Sequence, residues 1–156
     1  MSEGKIFNVR VYGIFLNDKE ELLLAEEYHY DTFMRKFPGG GLQFGEGTRD
    51  GLIREIKEEL HVDIETCVHF HTTDFFVRSA FNENHQVIAI YYLVKTPKAL
   101  NEIGTANFEL PKINGEEIFR WVSLKSISPD DFTFPVDQKV VELILEKWKN
   151  NLLIFL

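Results

Sequence analysis

The sequence predicts a mixed α/β fold of the α+β kind, a single domain in which helices pack on a mixed β-sheet. Three observations carry that expectation. Strand-like runs lie on both sides of a helical segment near residue 50, a second helical segment follows Pro135, and no linker, repeat or low-complexity stretch divides the 156 residues. The order β, β, α, several β, α suits one layered domain, and the length closes a hydrophobic core without disulfides or a structural metal. The domain is therefore read as residues 1–156.

Each element has its own warrant. "KIFNVRVYGIFLN" and "ELLLAEEY" are β-rich runs around the turn signal Asn17, Asp18, Lys19, and they predict a hairpin. A short extended piece ends at Phe37 and Pro38, because the residue before a proline avoids helix. Gly39, Gly40 and Gly41 then mark a tight backbone path. From about Thr48 to Leu60, Leu52, Ile53, Ile56 and Leu60 recur at helical spacing. "HVDIETCVHFHTT" changes the period to two, with Val62, Ile64, Val68 and Phe70 on one face and His61, Asp63, Glu65, His69 and His71 on the other. "DFFVRSAFNENHQVIAIYYLVKT" predicts two strands about the polar turn Asn82 to His85, and a loop runs from Pro97 to Gly115. The strand "EEIFRWVSL" follows, then a helix from Pro135 to about Asn150 whose Val136, Val140, Leu143, Ile144 and Trp148 share a face.

Composition narrows the function classes. With 44% hydrophobic and 27% charged residues the chain is ordinary for a globular protein. A formal net charge of -8 argues against a general nucleic-acid surface, which needs clustered Lys and Arg. An anionic ligand would need a cation to bridge it to such a protein. The single cysteine, Cys67, allows neither an intramolecular disulfide nor a multi-cysteine zinc site. The N-terminal residues do not read as a signal peptide, and no window approaches a membrane span, so a soluble cytoplasmic protein without membrane contact is expected. The apolar tail "NNLLIFL" is read as a terminus tucked onto the core or a partner subunit.

One stretch stands apart. Glu55, Glu58 and Glu59 gather in the last turn of the first predicted helix, where the helix dipole disfavours carboxylates. They are either a solvated charged face or half of a site for a hard divalent cation, since Mg²⁺ takes oxygen ligands and reaches phosphates through its remaining positions. The wider spacing bears on the choice. It runs Gly40, five residues, Glu46, seven residues, then Arg54-Glu55-Ile56-Lys57-Glu58-Glu59-Leu60-His61-Val62.

This spacing resembles the Nudix box, here residues 40–62, with every fixed position matched except the last glycine, which is His61. The flanking "FPGGG" and "RWVSLKSI" also look like Nudix segments. The resemblance implies the Nudix αβα sandwich, a mixed β-sheet between helices. It further implies that Glu55, Glu59 and Glu58, with the Gly39 carbonyl, bind Mg²⁺, for which Mn²⁺ substitutes, and that Arg54 pairs with a box carboxylate, Glu46. Gly40 and Glu46 would orient the loop and helix. The chemistry implied is attack of a metal-activated water on a pyrophosphate bond, in a nucleoside triphosphate or in a nucleoside diphosphate linked to another group. A general base outside the box would come from Glu102, Glu109, Glu116 or Glu117, with Glu116 and Glu117 preferred.

The alternatives come from the same residues. A catalytically silent nucleotide-sensing module is the rival, although the complete set of box acids is present. His61, His69 and His71 suggest zinc, but no fourth ligand is evident. His61 is expected in the left-handed conformation that ends a helix, and Gly51 stands where the family often has alanine. Some ADP-ribose-type members carry a proline shortly after the box and some dinucleoside-polyphosphate types a tyrosine. Here the first proline beyond it is Pro97 and the first tyrosine Tyr91, so the subfamily stays open. The expected partner is a small nucleotide rather than a nucleic acid, with a homodimer standing beside a monomer as the assembly.

Overall fold

In the computed structural model, which describes residues 4–103 and 110–156, two sheets rather than one form the middle layer. The elements run β1 (Ile6–Phe15), β2 (Glu21–His29), β3 (Thr32–Lys36), β4 (Gly39–Gly41), α1 (Thr48–Leu60), β5 (Cys67–Thr72), β6 (His85–Val94), β7 (Glu116–Ser123) and α2 (Pro135–Lys149). One sheet, ordered β4-β1-β6-β5, is mixed: β1 runs parallel to β6 and antiparallel to β4, and β5 is antiparallel to β6. The other, β3-β2-β7, is wholly antiparallel.

The two helices cover opposite sides of this layer. Tyr12, Ile14, Leu22, Leu24 and Tyr91 pack with Val136, Val140, Val141 and Ile144 of α2. Val11, Phe15, Leu23 and Tyr92 pack with Leu52, Ile56 and Leu60 of α1. Since β1 and β2 each bury both faces, their sequences read as continuous apolar runs rather than alternations. The result is an αβα sandwich. Among the described residues no helix is long and apolar enough to cross a membrane.

Several expectations need correction. The predicted β1–β2 hairpin exists only at its root, in the Asn17 N–H to Glu21 carbonyl bond of 3.1 Å and the Leu16–Leu22 bridge, after which the strands part into different sheets. The residues before β6 form no strand, only a bridge between Arg78 and Gln86, because Phe75, Phe76 and Phe81 are exposed and offer no buried face to select a register. Extended structure does not begin at His61 but at Cys67, and a register shift between His69 and His71 breaks the alternation. Residues 61–66 form no strand and do not carry the alternation from Ile64 into β5, so Cys67 is buried and Val68 is 49% exposed, the reverse of the expected phase. Ile53 likewise sits 38% exposed beside, not within, the buried row Leu52, Ile56, Leu60.

His61 does end α1 in the left-handed region, at φ 58° and ψ 29°, with its N–H bonded to the Lys57 carbonyl. A side chain there costs roughly 1–2 kcal/mol relative to glycine. His61→Gly is accordingly expected to raise stability by about 1 kcal/mol in a denaturant melt, with no change at the residues that precede it.

A second left-handed site lies in the hairpin between β2 and β3. His29 pairs with Thr32, so only Tyr30 and Asp31 connect the strands, and both have positive φ, at 49° and 55°. Two-residue hairpin loops of this twist favour Asn-Gly or Asp-Gly. The bulky Tyr30 is an unusual occupant.

Candidate active site

Strand β4 places bare backbone under helix α1. Its three glycines pair with Arg10, Val11 and Tyr12 of β1. Gly39 has φ 142°, and a Cβ there would collide with the Val11 carbonyl. A Cβ on Gly40 would come within 2.5 Å of the Glu55 carboxylate. With no side chain in the way, the carboxylates of the last turn of α1 descend onto the strand, and the Gly39 N–H donates to Glu59 Oε2 at 3.1 Å. Gly51 has a packing reason too, because a Cβ there would press on Leu42 and Glu46.

Arg54 holds this arrangement from the other side. Its Nε and Nη2 donate to the two oxygens of Glu46 at 3.0 and 2.6 Å, the paired geometry a guanidinium favours. Nη2 also donates to the Gly41 carbonyl at 3.0 Å, and Nη1 to Glu55 at 2.9 Å and Glu58 at 3.3 Å. The expected partner Glu46 is present, and one cation also ties the glycine strand and two further box acids. The Arg54 hydrogen bond, helped by the Gln43 N–H, holds the Glu46 carboxyl down to about 2. Arg54 in turn is held above its usual range, chiefly by Glu46.

Glu59 is in the opposite situation. Burial pushes its carboxyl up to about 8, and nearby Glu117 and Glu55 add to this while Lys36 and the Gly39 N–H oppose it. Glu117 is raised as well, by burial first and then by Glu27 and Glu55, against Lys36. Lys36 Nζ stands 2.7 Å from Glu27 and 4.0 Å from Glu117. Glu59, Glu117 and Glu27 thus crowd one lysine, with the Arg54-bound Glu55 close enough to raise Glu59 and Glu117, in a place where each further negative charge is costly.

The two preferred outside bases separate in space. Glu117 faces this cluster. Glu116 turns away and accepts the N–H groups of Lys112 and Ile113 at 3.0 and 3.2 Å, which holds its carboxyl below the usual range. It caps a turn, so its candidacy is corrected. Glu102 ends the short 3₁₀ turn Lys98–Glu102, and Glu109 lies outside the described residues. Glu58 is the most exposed of the box acids, at 59% of its side chain.

Among the described residues no group of three His, Cys, Asp or Glu side chains stands ready as a metal cage. For the three histidines this means that they are not gathered into one group; His69 Nε2 is engaged with Thr72 Oγ1 at 2.8 Å. For the acids it does not count against Mg²⁺, which is commonly held by one or two carboxylates with waters and substrate phosphates. The hard oxygen donors of Glu55 and Glu59, above a glycine strand cleared of side chains, fit such an ion.

Beside the acids opens a cavity of about 260 Å³ between the two sheets. Asn8, Arg10 and Tyr12 of β1 line it, together with Glu27, Lys36 and Arg78. Glu27 and Lys36 therefore belong to both the cavity and the acidic cluster. Arg10 Nε donates to the Tyr12 hydroxyl at 2.5 Å; burial alone would lower the Arg10 pKa, but Tyr12 and Glu55 hold it above its usual range. Sequence reasoning missed these cations. For Arg10 the one signal was a charged side chain in a strand whose second half is apolar and buried, and Lys36 and Arg78 gave none.

Similarity to known proteins bears on this geometry. The family model described as the NUDIX domain matches residues 7–144. The RNA pyrophosphohydrolase of Ruthia magnifica subsp. Calyptogena magnifica is 34% identical over 84 residues, 54% of this chain. Those residues cover 45% of that relative, so the match spans less than half its length. Among solved structures, one from work on the MutT proteins of Aliivibrio salmonicida and Vibrio cholerae superposes with TM-score 0.63 at 21% identity, over 91% of this chain and 99% of its own. The E. coli ORF135 protein gives 0.65 at 18%, over 92% of each chain. The MutT NUDIX hydrolase of Burkholderia pseudomallei gives 0.63 at 17%, over 88% of this chain and 97% of its own. At these identities the structures establish the fold.

Proposed function

The chain belongs to the NUDIX domain family, and from that premise we propose that it is a pyrophosphohydrolase dependent on Mg²⁺ or Mn²⁺. Its substrate would be a nucleoside triphosphate or a nucleoside diphosphate linked to another group. The observation that carries this reading is the adjacency of an acid-lined glycine strand and a cation-lined cavity, with Glu27 and Lys36 common to both. An anionic substrate in the cavity would meet Arg10, Arg78 and Lys36, and its phosphates would run toward Glu55 and Glu59.

Glu55 and Glu59, with Glu58 and the Gly39 carbonyl, are the residues assigned to hold the cation. When bound it would lower the pKa of a coordinated water and offset charge on the pyrophosphate. The protein's own part is positional. Arg54 clamps Glu46, Gly41, Glu55 and Glu58 into one unit, so α1 and the loop before it keep a fixed relation to the glycine strand. Glu117 is assigned as the base that accepts the proton of the attacking water, because it reaches the cluster from β7, an element separate from the box.

Product analysis of a nucleotide panel with Mg²⁺ tests this. The panel covers the nucleoside triphosphates, ADP-ribose, dinucleoside polyphosphates, NADH and, following the Ruthia relative, a 5′-triphosphorylated RNA. Cleavage at a phosphoanhydride is expected. Binding of a nucleotide without cleavage, under Mg²⁺ and Mn²⁺ alike, would replace the hydrolase with a nucleotide-sensing module. A homodimer is proposed from the exposed apolar tail residues Leu152, Ile154 and Phe155, and sedimentation equilibrium decides it.

A further inference from the structure

Tyr30 occupies the mouth of the cavity between the sheets, in a backbone conformation its side chain disfavours. Its φ is 49°, in a two-residue hairpin loop where glycine, asparagine or aspartate would be at ease. The chain holds it there. Asp31 N–H donates to Asn114 Oδ1 at 2.9 Å, Asn114 Nδ2 donates back to Asp31 Oδ1 at 2.9 Å, and the Gly115 N–H donates to the Tyr28 carbonyl at 2.9 Å. The turn is thus latched to the segment that leads into β7. Strain that is kept by such fastening points to a use for the residue.

The surroundings say which use. Tyr30 is 64% exposed, yet its ring is placed by neighbours: His29 edge-on at 4.2 Å and Phe81 at 4.9 Å, with Phe81 braced by Phe134 at 6.2 Å. All four side chains line the cavity. They form an aromatic wall at the end away from Glu59. His29 Nδ1 is buried there without a hydrogen-bond partner, and the Asn8 amide lines the same space. Arg10, Lys36 and Arg78 line the cavity as well, and its one carboxylate among the described residues, Glu27, meets Lys36 Nζ at 2.7 Å.

We infer that Tyr30 is a substrate-binding residue whose ring stacks on a base of the nucleotide substrate, while His29 and Asn8 meet the edge of that base. The inference rests on the hydrolase reading above for the direction of the phosphates, and it says which end of the cavity receives the base. A cavity of about 260 Å³ is room for one nucleoside rather than two, and it sets no limit on what the phosphates carry at their other end. Because an aromatic face accepts any base, stacking supplies affinity with little choice among bases. Selection among bases falls to the two polar groups.

The test is calorimetric binding of the α,β-methylene analogues of ATP, GTP, CTP and UTP, with inorganic tripolyphosphate as the probe that lacks a base. Wild type, Tyr30→Phe and Tyr30→Asn are compared, and each is also melted. Asparagine relieves the strained turn, so Tyr30→Asn is expected to melt about 2–4 °C higher while binding the analogues about 5- to 100-fold more weakly. Tripolyphosphate affinity should not change. Tyr30→Phe keeps the ring and should keep wild-type affinity. A purely structural role for Tyr30 cannot produce a variant that is more stable and binds less. Equal affinity in Tyr30→Asn, a matching loss for tripolyphosphate, or a wild type that binds none of the four analogues would overturn the inference. Since no bond is cleaved in this assay, failure of the hydrolase reading shows separately in the product panel.

Discussion

Replacing Glu59 by Gln is expected to lower the rate of phosphoanhydride cleavage by roughly 100- to 1,000-fold, the loss seen when one electrostatic contributor to a transition state is removed. The amide keeps the size of the carboxylate and an oxygen to accept the Gly39 N–H, so the local hydrogen bond survives. What is lost is the charge. Glu55→Gln should fall in the same range, because Glu55 lies against Gly40 and is held by Arg54. Glu58→Gln should lose less, since that side chain is 59% exposed and meets Arg54 only at 3.3 Å. The measurement is the turnover number at saturating Mg²⁺ beside the melting temperature of each variant. An unchanged rate in both Glu59→Gln and Glu55→Gln would remove these carboxylates from the chemistry.

The same carboxyl has a consequence without any substrate. Glu59 holds its proton up to about 8 in the folded chain, against an ordinary 4.5, because burial and Glu117 oppose the charge. Between those two pH values the folded state binds more protons than the unfolded state, so stability falls as pH rises. The contribution is complete below about 4.5 and gone above about 8. Asp137, raised to about 7 by burial against the Tyr91 hydroxyl and the charges of Lys36 and Arg10, acts in the same direction over a lower window. A divalent cation favours the ionised Glu59, so Mg²⁺ should raise the melting temperature more at pH 8 than at pH 5.5. Glu59→Gln should flatten that difference, leaving the Asp137 part of the slope in place.

How far the sequence could be read depended on whether a pattern was local. The box helix was legible because its signals, helical spacing of Leu52, Ile56 and Leu60 and a left-handed stop at His61, lie within one element. The Arg54–Glu46 pair was legible because both residues belong to one motif. The division into two sheets was not. Nothing in "KIFNVRVYGIFLN" says that β1 leaves its hairpin partner after Leu16 to run parallel to β6, a choice made by packing against both helices. The phase of β5 was lost because residues 61–66, which alternate in the sequence, form no strand, and no glycine or proline marks its start at Cys67. The cavity was hidden for a third reason. Its cations Arg10, Lys36 and Arg78 come from β1, β3 and a segment before β6, brought together only by the fold. Tyr30 announced itself by neither spacing nor motif, since an aromatic after a strand reads as ordinary until its φ is known.

Glu26→Ala is expected to destabilise the fold by about 2–3 kcal/mol in a denaturant melt. Glu26 sits in the middle of the antiparallel sheet with 0% of its side chain exposed, between Arg120 of β7 and Arg35 of β3. Arg120 Nη2 donates to Oε2 at 3.3 Å and Arg120 Nε stands 2.7 Å from Oε1, while Arg35 Nη2 is 3.6 Å away. The Nε contact is close but off the N–H axis, so Oε1 is held by charge rather than by an aligned hydrogen bond. Removing one member of a fully buried ion pair costs about 3–5 kcal/mol, largely for the charge left behind. Here the two arginines keep 28% and 25% of their side chains exposed, and water meets part of that cost. Arg35 carries the effect further, because its backbone N–H and carbonyl bond Thr133 and its Nη1 bonds the Asp131 carbonyl, fastening the segment that leads into α2. Glu26→Gln keeps the shape and one oxygen and should lose about half as much. If Glu26→Ala melts like wild type, the carboxylate contributes nothing net to the sheet. Equal losses in Ala and Gln would assign the stability to charge alone, and a smaller loss in Gln would show that shape and the remaining oxygen contribute as well.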